Sequence, residues 1–506
     1  MDGSPRVACV TPARRVAGRD VTTLDGLDPA VLDAWAEAFT AVGASQCGFC
    51  TPGIVMRLAA LGARHVSPDD AAVERALLAH LCRCTGWRTI LDAARRVYDA
   101  ASPAAAAAPD APARALAPAA PARALAPAGG AGRDLTAAAR RATLEGGTPQ
   151  VVGTDVAKGG GGFADDGAPA DALVAVPDGD GGWAVAETLG AARALAGKVQ
   201  GRNSTVALRH PVELAPGDWA LTLQTTFVEP AYLEPDASWC APGGEPASPL
   251  ANGGAFGGKL SSVAAAAARR LADEHGRPVR VVFSREDVVR LGPKRPPVAA
   301  GVRADGSGVV RVGRTPGSPG LGAWVEALTS AAPALVVEEV AVTGPPVSAQ
   351  LRAAGWAEAA VLLAALGARD AGAVGPGHPV TVRSPAGARA TATVDASGSV
   401  HVSVAAGEVL DEVVLRSYAV GAVHQALGWV RTEGIAVDDA GTVLDLTIRS
   451  FGIIAARDMP AVEVVVEDDP RPALPAGDTV FAAVAAAAWL AAGLAPRWPV
   501  DPGGGT

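Results

Sequence analysis

Two short stretches, residues 46–53 (QCGFCTPG) and residues 80–87 (HLCRCTGW), hold four of the six cysteines in this 506-residue chain. These cysteines form a CxxC pair and a CxC pair, namely Cys47 with Cys50 and Cys82 with Cys84. Four converging thiolates are the usual ligands of a [2Fe-2S] cluster. A structural zinc site is the alternative, because CxxC is common there too, although CxC fits zinc-site spacing poorly. The pattern therefore predicts a metal centre and favours iron and sulfide over zinc.

The residues around both cysteine pairs are typical of helix starts, where thiolates are stabilised. Pro52 suits the first turn of a helix, and Thr85 is predicted to be the N-cap of another. We predict four helices here, over about residues 29–42, 52–61, 67–81 and 86–98. They indicate a compact four-helix domain, residues 29–100, with the metal centre at one end.

Composition and charge limit what else the chain can be. Hydrophobic residues make up 49% of it, which is ample for the cores of several domains. The net charge is −9 with scattered Lys and Arg, which argues against a nucleic-acid partner. No signal-peptide pattern is present, and paired cysteines suit metal binding in a reducing compartment, so we expect a cytoplasmic protein. The apolar run at residues 479–495 is mostly alanine, and we expect a buried helix rather than a membrane span.

The rest of the chain reads as a linker followed by a mixed region. Residues 101–132 are Ala-Pro repeats that cannot build a core, so they predict a tether. Beyond it, short apolar strands such as residues 220–227 and 279–283 alternate with alanine-rich helices such as residues 262–275. We divide this region at residues 133–300 and 301–506. The predicted class is α+β and multidomain, with a mixed α/β C-terminal part.

A glycine-rich motif, GGAFGGK at residues 253–259, marks this second region. Glycines this dense let backbone amides approach an anionic or planar ligand closely. The motif also satisfies the GxxxxGK pattern of a P-loop, but Leu260 replaces the Mg-binding hydroxyl residue and Pro249 interrupts the strand that should precede it.

Both motifs resemble the same family. The cysteine segments are similar to the helical [2Fe-2S] domain of the xanthine dehydrogenase and aldehyde oxidase family, the molybdenum hydroxylases. The GGAFGGK loop, followed by GRPVRVVFSRED at residues 276–287, resembles a shortened form of that family's molybdopterin-binding subunit. Weaker matches of the same kind lie at residues 226–235, 347–355, 421–428 and 459–464.

The resemblance implies an oxidoreductase that hydroxylates a small heterocycle or aldehyde and passes electrons through the cluster to an FAD-binding partner subunit, with no nucleic acid or membrane involved. It implies a [2Fe-2S] cluster on the four paired cysteines and molybdopterin as a further cofactor. The cofactor-binding positions that it implies are Gln46, Gly253, Gly254, Phe256, Gly257, Gly258 and Arg352. The general base of the family corresponds to Asp478.

Departures from the family pattern leave alternatives open. Asp478 stands where the family has glutamate, one methylene longer, and its other interpretation is the N-cap of the following helix. Residues 133–506 are also much shorter than the family's molybdenum subunit. A second function therefore stays open, a non-catalytic electron-transfer or scaffold protein with a degenerate molybdenum domain.

Residues 1–28 resemble the end of the plant-type ferredoxin domain that precedes the helical domain in the family. Cys9 corresponds to the last cluster ligand of that domain, and the other three ligands are absent from the chain. We expect either a remnant of a lost domain or a reading frame that extends further upstream.

Overall fold

The N-terminal helices form where the sequence predicts them, with two corrections at their ends. The computed structural model describes residues 1–65, 67–101, 132–179, 181–199, 201–202, 204 and 206–501. Four helices in this part are α1 (Pro29–Val42), α2 (Thr51–Gly62), α3 (Asp70–Ala76) and α4 (Arg88–Ala100). The third helix ends earlier than predicted and continues as a 3-10 turn, Leu77–Ala79. The predicted N-cap Thr85 was wrong, because α4 begins after Trp87.

A small aromatic core joins these helices. The ring of Trp35 on α1 meets the ring of Tyr98 on α4 edge to face at 5.6 Å. The Tyr98 hydroxyl donates to the carbonyl of Leu58 on α2 at 2.8 Å. Burying large aromatic side chains whose polar ends are hydrogen-bonded is a strong stabilising contribution, so α1, α2 and α4 pack as one unit around them.

The remaining described residues form further helices and three sheets. The helices are α5 (Leu135–Gly146), α6 (Thr154–Ala157), α7 (Leu189–Ala196), α8 (Ala264–His275), α9 (Arg285–Leu291), α10 (Gly322–Ala331), α11 (Trp356–Asp370), α12 (Glu412–Arg431) and α13 (Gly477–Ala491). The strands are β1 (Leu173–Pro177), β2 (Trp183–Ala186), β3 (Leu221–Gln224), β4 (Ala237–Cys240), β5 (Val279–Val282), β6 (Val298–Val302), β7 (Gly308–Arg314), β8 (Leu335–Ala341), β9 (Val380–Arg383), β10 (Arg389–Val394), β11 (Val400–Ala405) and β12 (Val462–Val466).

Each of the three sheets has four strands and mixes parallel with antiparallel pairs. Their orders are β2-β1-β5-β4, β3-β6-β7-β8 and β12-β11-β10-β9. The parallel pairs are β1 with β5, β7 with β8, and β11 with β12. The predicted α+β class is confirmed, whereas the division of the chain at residues 28, 100, 132 and 300 stays a prediction. Residues 102–131 of the predicted linker lie outside the described residues.

The two helices α12 and α13 are the buried centre of the C-terminal part. Alanine is the commonest residue of α13, and all residues from Thr479 to Leu490 are buried, because small side chains let neighbouring elements approach closely. The ring of Phe481 stacks on that of Trp429 of α12 with centroids 5.2 Å apart. The prediction of a buried helix is confirmed. In the part of the chain described by the structure, no helix has the length and apolarity to cross a membrane.

Candidate metal centre

The fold brings the four paired cysteines together. Cys50 is the N-cap residue of α2, as expected for a pair at a helix start, whereas the CxC segment precedes α4 by a short turn. The Sγ atoms of Cys84 and Cys47 lie 3.5 Å apart, and the thiols of Cys50 and Cys82 are close enough for each to shift the pKa of the other. All four are free thiols in the structure. One cysteine from each motif therefore contributes to each pair.

This pairing suits two metal ions better than one. Two thiolates on one tetrahedral metal, bound at about 2.3 Å each, lie about 3.7 Å apart, close to the observed 3.5 Å. Within the described residues, no three His, Cys, Asp or Glu side chains are arranged to share a single metal ion. Each iron of a [2Fe-2S] cluster takes two thiolates, and the four cysteines supply two pairs. The donor set and its arrangement fit the cluster.

The surroundings of the thiols favour the thiolate at Cys47 and Cys82 and the thiol at Cys50 and Cys84. Hydrogen bonding from Cys84 lowers the pKa of Cys47, and hydrogen bonding from Cys50 lowers the pKa of Cys82 to about 6, with help from Thr85. The same hydrogen bonds, together with burial, raise the pKa of Cys50 and Cys84. Each pair thus contains one thiol that loses its proton more readily than the other. Thr85, predicted as a helix cap, instead lies with its Oγ1 3.1 Å from the Cys82 Sγ.

The CxC segment lies directly against helix α12. Gln46 donates through Nε2 to the carbonyl of Cys84 at 3.0 Å and to Oγ of Ser417 at 2.9 Å. At Gly421, a Cβ atom would lie 1.8 Å from that same carbonyl oxygen. Glycine is required at this position of α12 because any side chain would push the ligand segment away. Gln46, predicted near a cofactor, here joins the metal centre to α12.

The predicted glycine loop lies beside the metal centre. A Cβ atom at Gly253 would lie 3.0 Å from the Cβ of Cys47. At Gly254 it would lie 2.3 Å from the carbonyl of Gly146, and at Gly257 1.8 Å from the carbonyl of Gln350. At Gly258 it would meet the ring of Tyr232 at 2.5 Å. These glycines therefore make room for the protein's own backbone and side chains.

Three further predicted residues converge behind that loop. The guanidinium of Arg352 lies over the ring of Phe256, 5.3 Å from its centroid. Arg352 also donates from Nε to Asp478 Oδ1 at 3.0 Å and from Nη1 to Gln425 Oε1 at 3.1 Å. Arg352 is 9% exposed and Asp478 is 47% exposed. Only Asp478 of this group is broadly open to solvent.

The interpretation of Asp478 as an N-cap was wrong. The N-cap residue of α13 is Ala476, and Asp478 makes no capping hydrogen bond. The first amides are satisfied instead by Glu145 of α5, whose carboxylate accepts from Ala476 N at 3.0 Å and from Gly477 N at 2.8 Å. A carboxylate at a helix N-terminus is favoured by the helix dipole. Sequence reasoning missed this role because Glu145 lies more than 330 residues away.

Two other cysteines lie outside this cluster, and one residue of the site, Gln425, was not singled out from the sequence. Cys9 is exposed and Cys240 is buried in the chain's interior. Gln425 was overlooked individually, although it lies in the matched segment at residues 421–428. Its Nε2 donates to the carbonyl of Arg83 at 3.3 Å, so one side chain connects Arg352 with the CxC segment. A glutamine on a largely apolar helix was the sequence signal that could have indicated this buried polar contact.

Comparison with known proteins supports the cysteine site most directly. Residues 23–95 match the family model of the [2Fe-2S] binding domain. Similar curated proteins include a probable xanthine dehydrogenase subunit of Bacillus subtilis, 40% identical over 97 residues, and the nicotine 6-hydroxylase small subunit of Paenarthrobacter nicotinovorans, 41% identical over 93 residues. These alignments cover 19% and 18% of this chain and 56% of each relative. The chain thus spans about half the length of these relatives. The predicted resemblance to the xanthine dehydrogenase and aldehyde oxidase proteins is confirmed.

Solved structures extend the similarity of fold to the whole chain. The aldehyde oxidoreductase of Desulfovibrio gigas is similar with a TM-score of 0.66 and 14% identity, over 99% of this chain and 93% of that one. The aldehyde oxidoreductase of Desulfovibrio desulfuricans gives a TM-score of 0.63, also at 14% identity, over 96% and 91%. At such low identity, the likeness establishes a shared fold.

Proposed function

We propose that this chain is an iron–sulfur oxidoreductase subunit of the xanthine dehydrogenase and aldehyde oxidase type, which passes electrons through one [2Fe-2S] cluster. The observation that carries the proposal is the pairing of four thiols, Cys47 with Cys84 and Cys50 with Cys82. Cys82 and Cys84 are 1% and 8% exposed, whereas Cys47 and Cys50 are partly exposed, so the fold shields such a cluster from water on the CxC side. When bound, the cluster accepts and releases one electron at a time.

The chain's own residues hold and orient the ligands. The backbone amides and Thr85 hydroxyl near Cys82 stabilise its thiolate, and Gln46 fixes the carbonyl of Cys84. In this proposal the electron acceptor is a partner subunit that binds FAD, and the protein works in the cytoplasm. The electron donor that the family resemblance implies is a small aldehyde or heterocycle, and the residues that it assigns to a molybdopterin-type site are 253–258, Arg352 and Asp478.

The residues of that second site do not fit molybdopterin in the conformation described. Protein atoms occupy the positions into which a Cβ atom would project at Gly253, Gly254, Gly257 and Gly258. The guanidinium of Arg352 is already engaged by Asp478 and Gln425. We therefore derive no chemical step through a molybdenum cofactor.

This filled loop favours the second candidate function, an electron-transfer or scaffold protein that has no hydroxylase activity of its own. Metal analysis of protein purified without oxygen separates the two candidates. Iron and molybdenum together support the hydroxylase type with Asp478 as the candidate base. Iron without molybdenum supports the electron-transfer type, and protein without iron refutes both.

A further inference from the structure

A buried ion pair links the metal-binding segment to a distant part of the chain. Arg83 lies between Cys82 and Cys84, and its Nη1 and Nη2 donate to Oε1 and Oε2 of Glu433 at 2.5 and 2.6 Å. The two side chains are 4% and 2% exposed. The Nε of Arg83 donates to the carbonyl of Pro230 at 3.1 Å. Three N–H groups of this guanidinium therefore donate to partners outside residues 23–95.

Glu433 is held in place by the end of helix α12. Its backbone amide donates to the carbonyl of Gly428 at 2.7 Å. A Cβ atom at Gly428 would lie 1.9 Å from Glu433 Oε1, so glycine leaves the space that the carboxylate occupies. Burial raises the pKa of Glu433, and the charge of Arg83 opposes that rise. The local structure is thus shaped around the side chain of Glu433 facing Arg83.

Stability alone is a weak reason for such a pair. Removing two charges from water is costly, and well-packed apolar residues often stabilise a protein as well as a buried ion pair does. A bidentate arginine–carboxylate pair does supply a fixed geometry. The backbone on either side is fixed too, because Gln425 donates to the carbonyl of Arg83 and Gln46 to that of Cys84.

We propose that Glu433 is a positioning residue for the metal centre. Through Arg83 it fixes the Cys82-x-Cys84 ligand segment on α12, and it keeps that buried site electrically neutral. The reduction potential of a cluster held by these cysteines therefore depends on a residue outside the matched domain. The inference rests on the proposed function in one respect, that the metal centre is a [2Fe-2S] cluster. Reduction adds one electron from an external reductant and breaks no bond, so the cluster becomes more negative by one charge.

The test uses the full chain and two variants with a matched control. Glu433→Gln leaves the Arg83 charge uncompensated, and a positive charge nearby favours the reduced cluster, so the midpoint potential should rise. The double variant Arg83→Met/Glu433→Met removes both charges, so its potential should stay at the parent value. Both variants should speed amide hydrogen exchange in residues 82–86 by about tenfold or more, because a fixing contact is lost. The control is Glu187→Gln, which breaks an exposed pair with Arg277 and should change neither quantity.

The potential is measured by titrating the visible iron–sulfur absorption with dithionite and mediators. If Glu433→Gln had the same midpoint potential and the same amide exchange rates at residues 82–86 as the parent protein, the inference would be overturned. If that variant does not fold, the double variant decides, and parental exchange at residues 82–86 in it would overturn the inference equally. Parent protein that binds no iron would instead refute the proposed function. The exchange measurement would still test the positioning role in that case.

Discussion

The N-terminus of α13 provides a sharp test of how this fold is stabilised. Replacing Glu145 by alanine removes the carboxylate that accepts from Ala476 N and Gly477 N. It also leaves Arg141, 0% exposed and paired with Glu145, with an uncompensated buried charge. Breaking a buried pair costs about 3–5 kcal/mol, and a helix cap contributes about 1 kcal/mol. We expect Glu145→Ala to lower the free energy of unfolding by about 4 kcal/mol.

Asp478→Ala is the matched comparison on the same helix turn. Its side chain is 47% exposed whereas that of Arg352 is 9% exposed. Arg352 keeps its hydrogen bond to Gln425 in this variant, so we expect a cost of about 1 kcal/mol, the upper end for exposed ion pairs. Urea titration followed by tryptophan fluorescence includes a signal from this region, because Trp429 and Trp489, two of the ten tryptophans, both pack against Trp498 beside α13. With a urea slope of about 3 kcal/mol/M, the Glu145→Ala midpoint should fall by about 1 M and the Asp478→Ala midpoint by much less. Equal shifts in the two variants would refute the assignment of Glu145 as the cap.

Three further predictions concern α12 and the candidate base. Gly421→Ala should reduce the iron content and lower the free energy of unfolding by about 1–3 kcal/mol through overpacking, because its Cβ would lie 1.8 Å from the carbonyl oxygen of Cys84. Iron analysis and urea titration measure the two effects. Burial lowers the pKa of His424 from 6.5 to about 3. Below pH 6.5 the unfolded chain therefore binds a proton at His424 that the folded chain excludes, and the free energy of unfolding should fall by about 2 kcal/mol between pH 7 and pH 5. His424→Asn should show a shallower loss in urea titrations at those two pH values, and an equal loss would contradict this origin. In protein that contains molybdenum, Asp478→Glu should raise aldehyde turnover about tenfold or more, since a general base within reach of its proton raises the reaction rate by a factor of about 10² to 10⁴. Unchanged or lower turnover would exclude Asp478 as a general base that is one methylene too short.

The parts of the molecule that sequence predicts best are those set by local spacing. The CxxC and CxC motifs place their thiols at the ends of short turns, so their convergence follows once the intervening helices form. Helix α1 matches its predicted range because Asp28, whose Oδ1 accepts from Ala30 N, and Pro29 define its start locally.

The parts that sequence could not predict depend on contacts between distant residues. Nothing near Arg83 indicates that its partner is Glu433, 350 positions away. Glu145 likewise caps a helix that begins at Gly477, so local reasoning assigned the cap to Asp478. The glycines at residues 253–258 illustrate a different limit, because dense glycine predicts close approach without saying whether ligand or protein approaches.

The most direct test of the account is the metal content of the intact chain. Protein purified without oxygen should contain about two irons and two sulfides per chain, and dithionite should produce the electron paramagnetic resonance signal of a reduced [2Fe-2S] cluster. Cys82→Ser should lose both the signal and the visible absorption, whereas Cys9→Ser should retain them. One zinc per chain with four sulfur ligands and no iron would contradict the account.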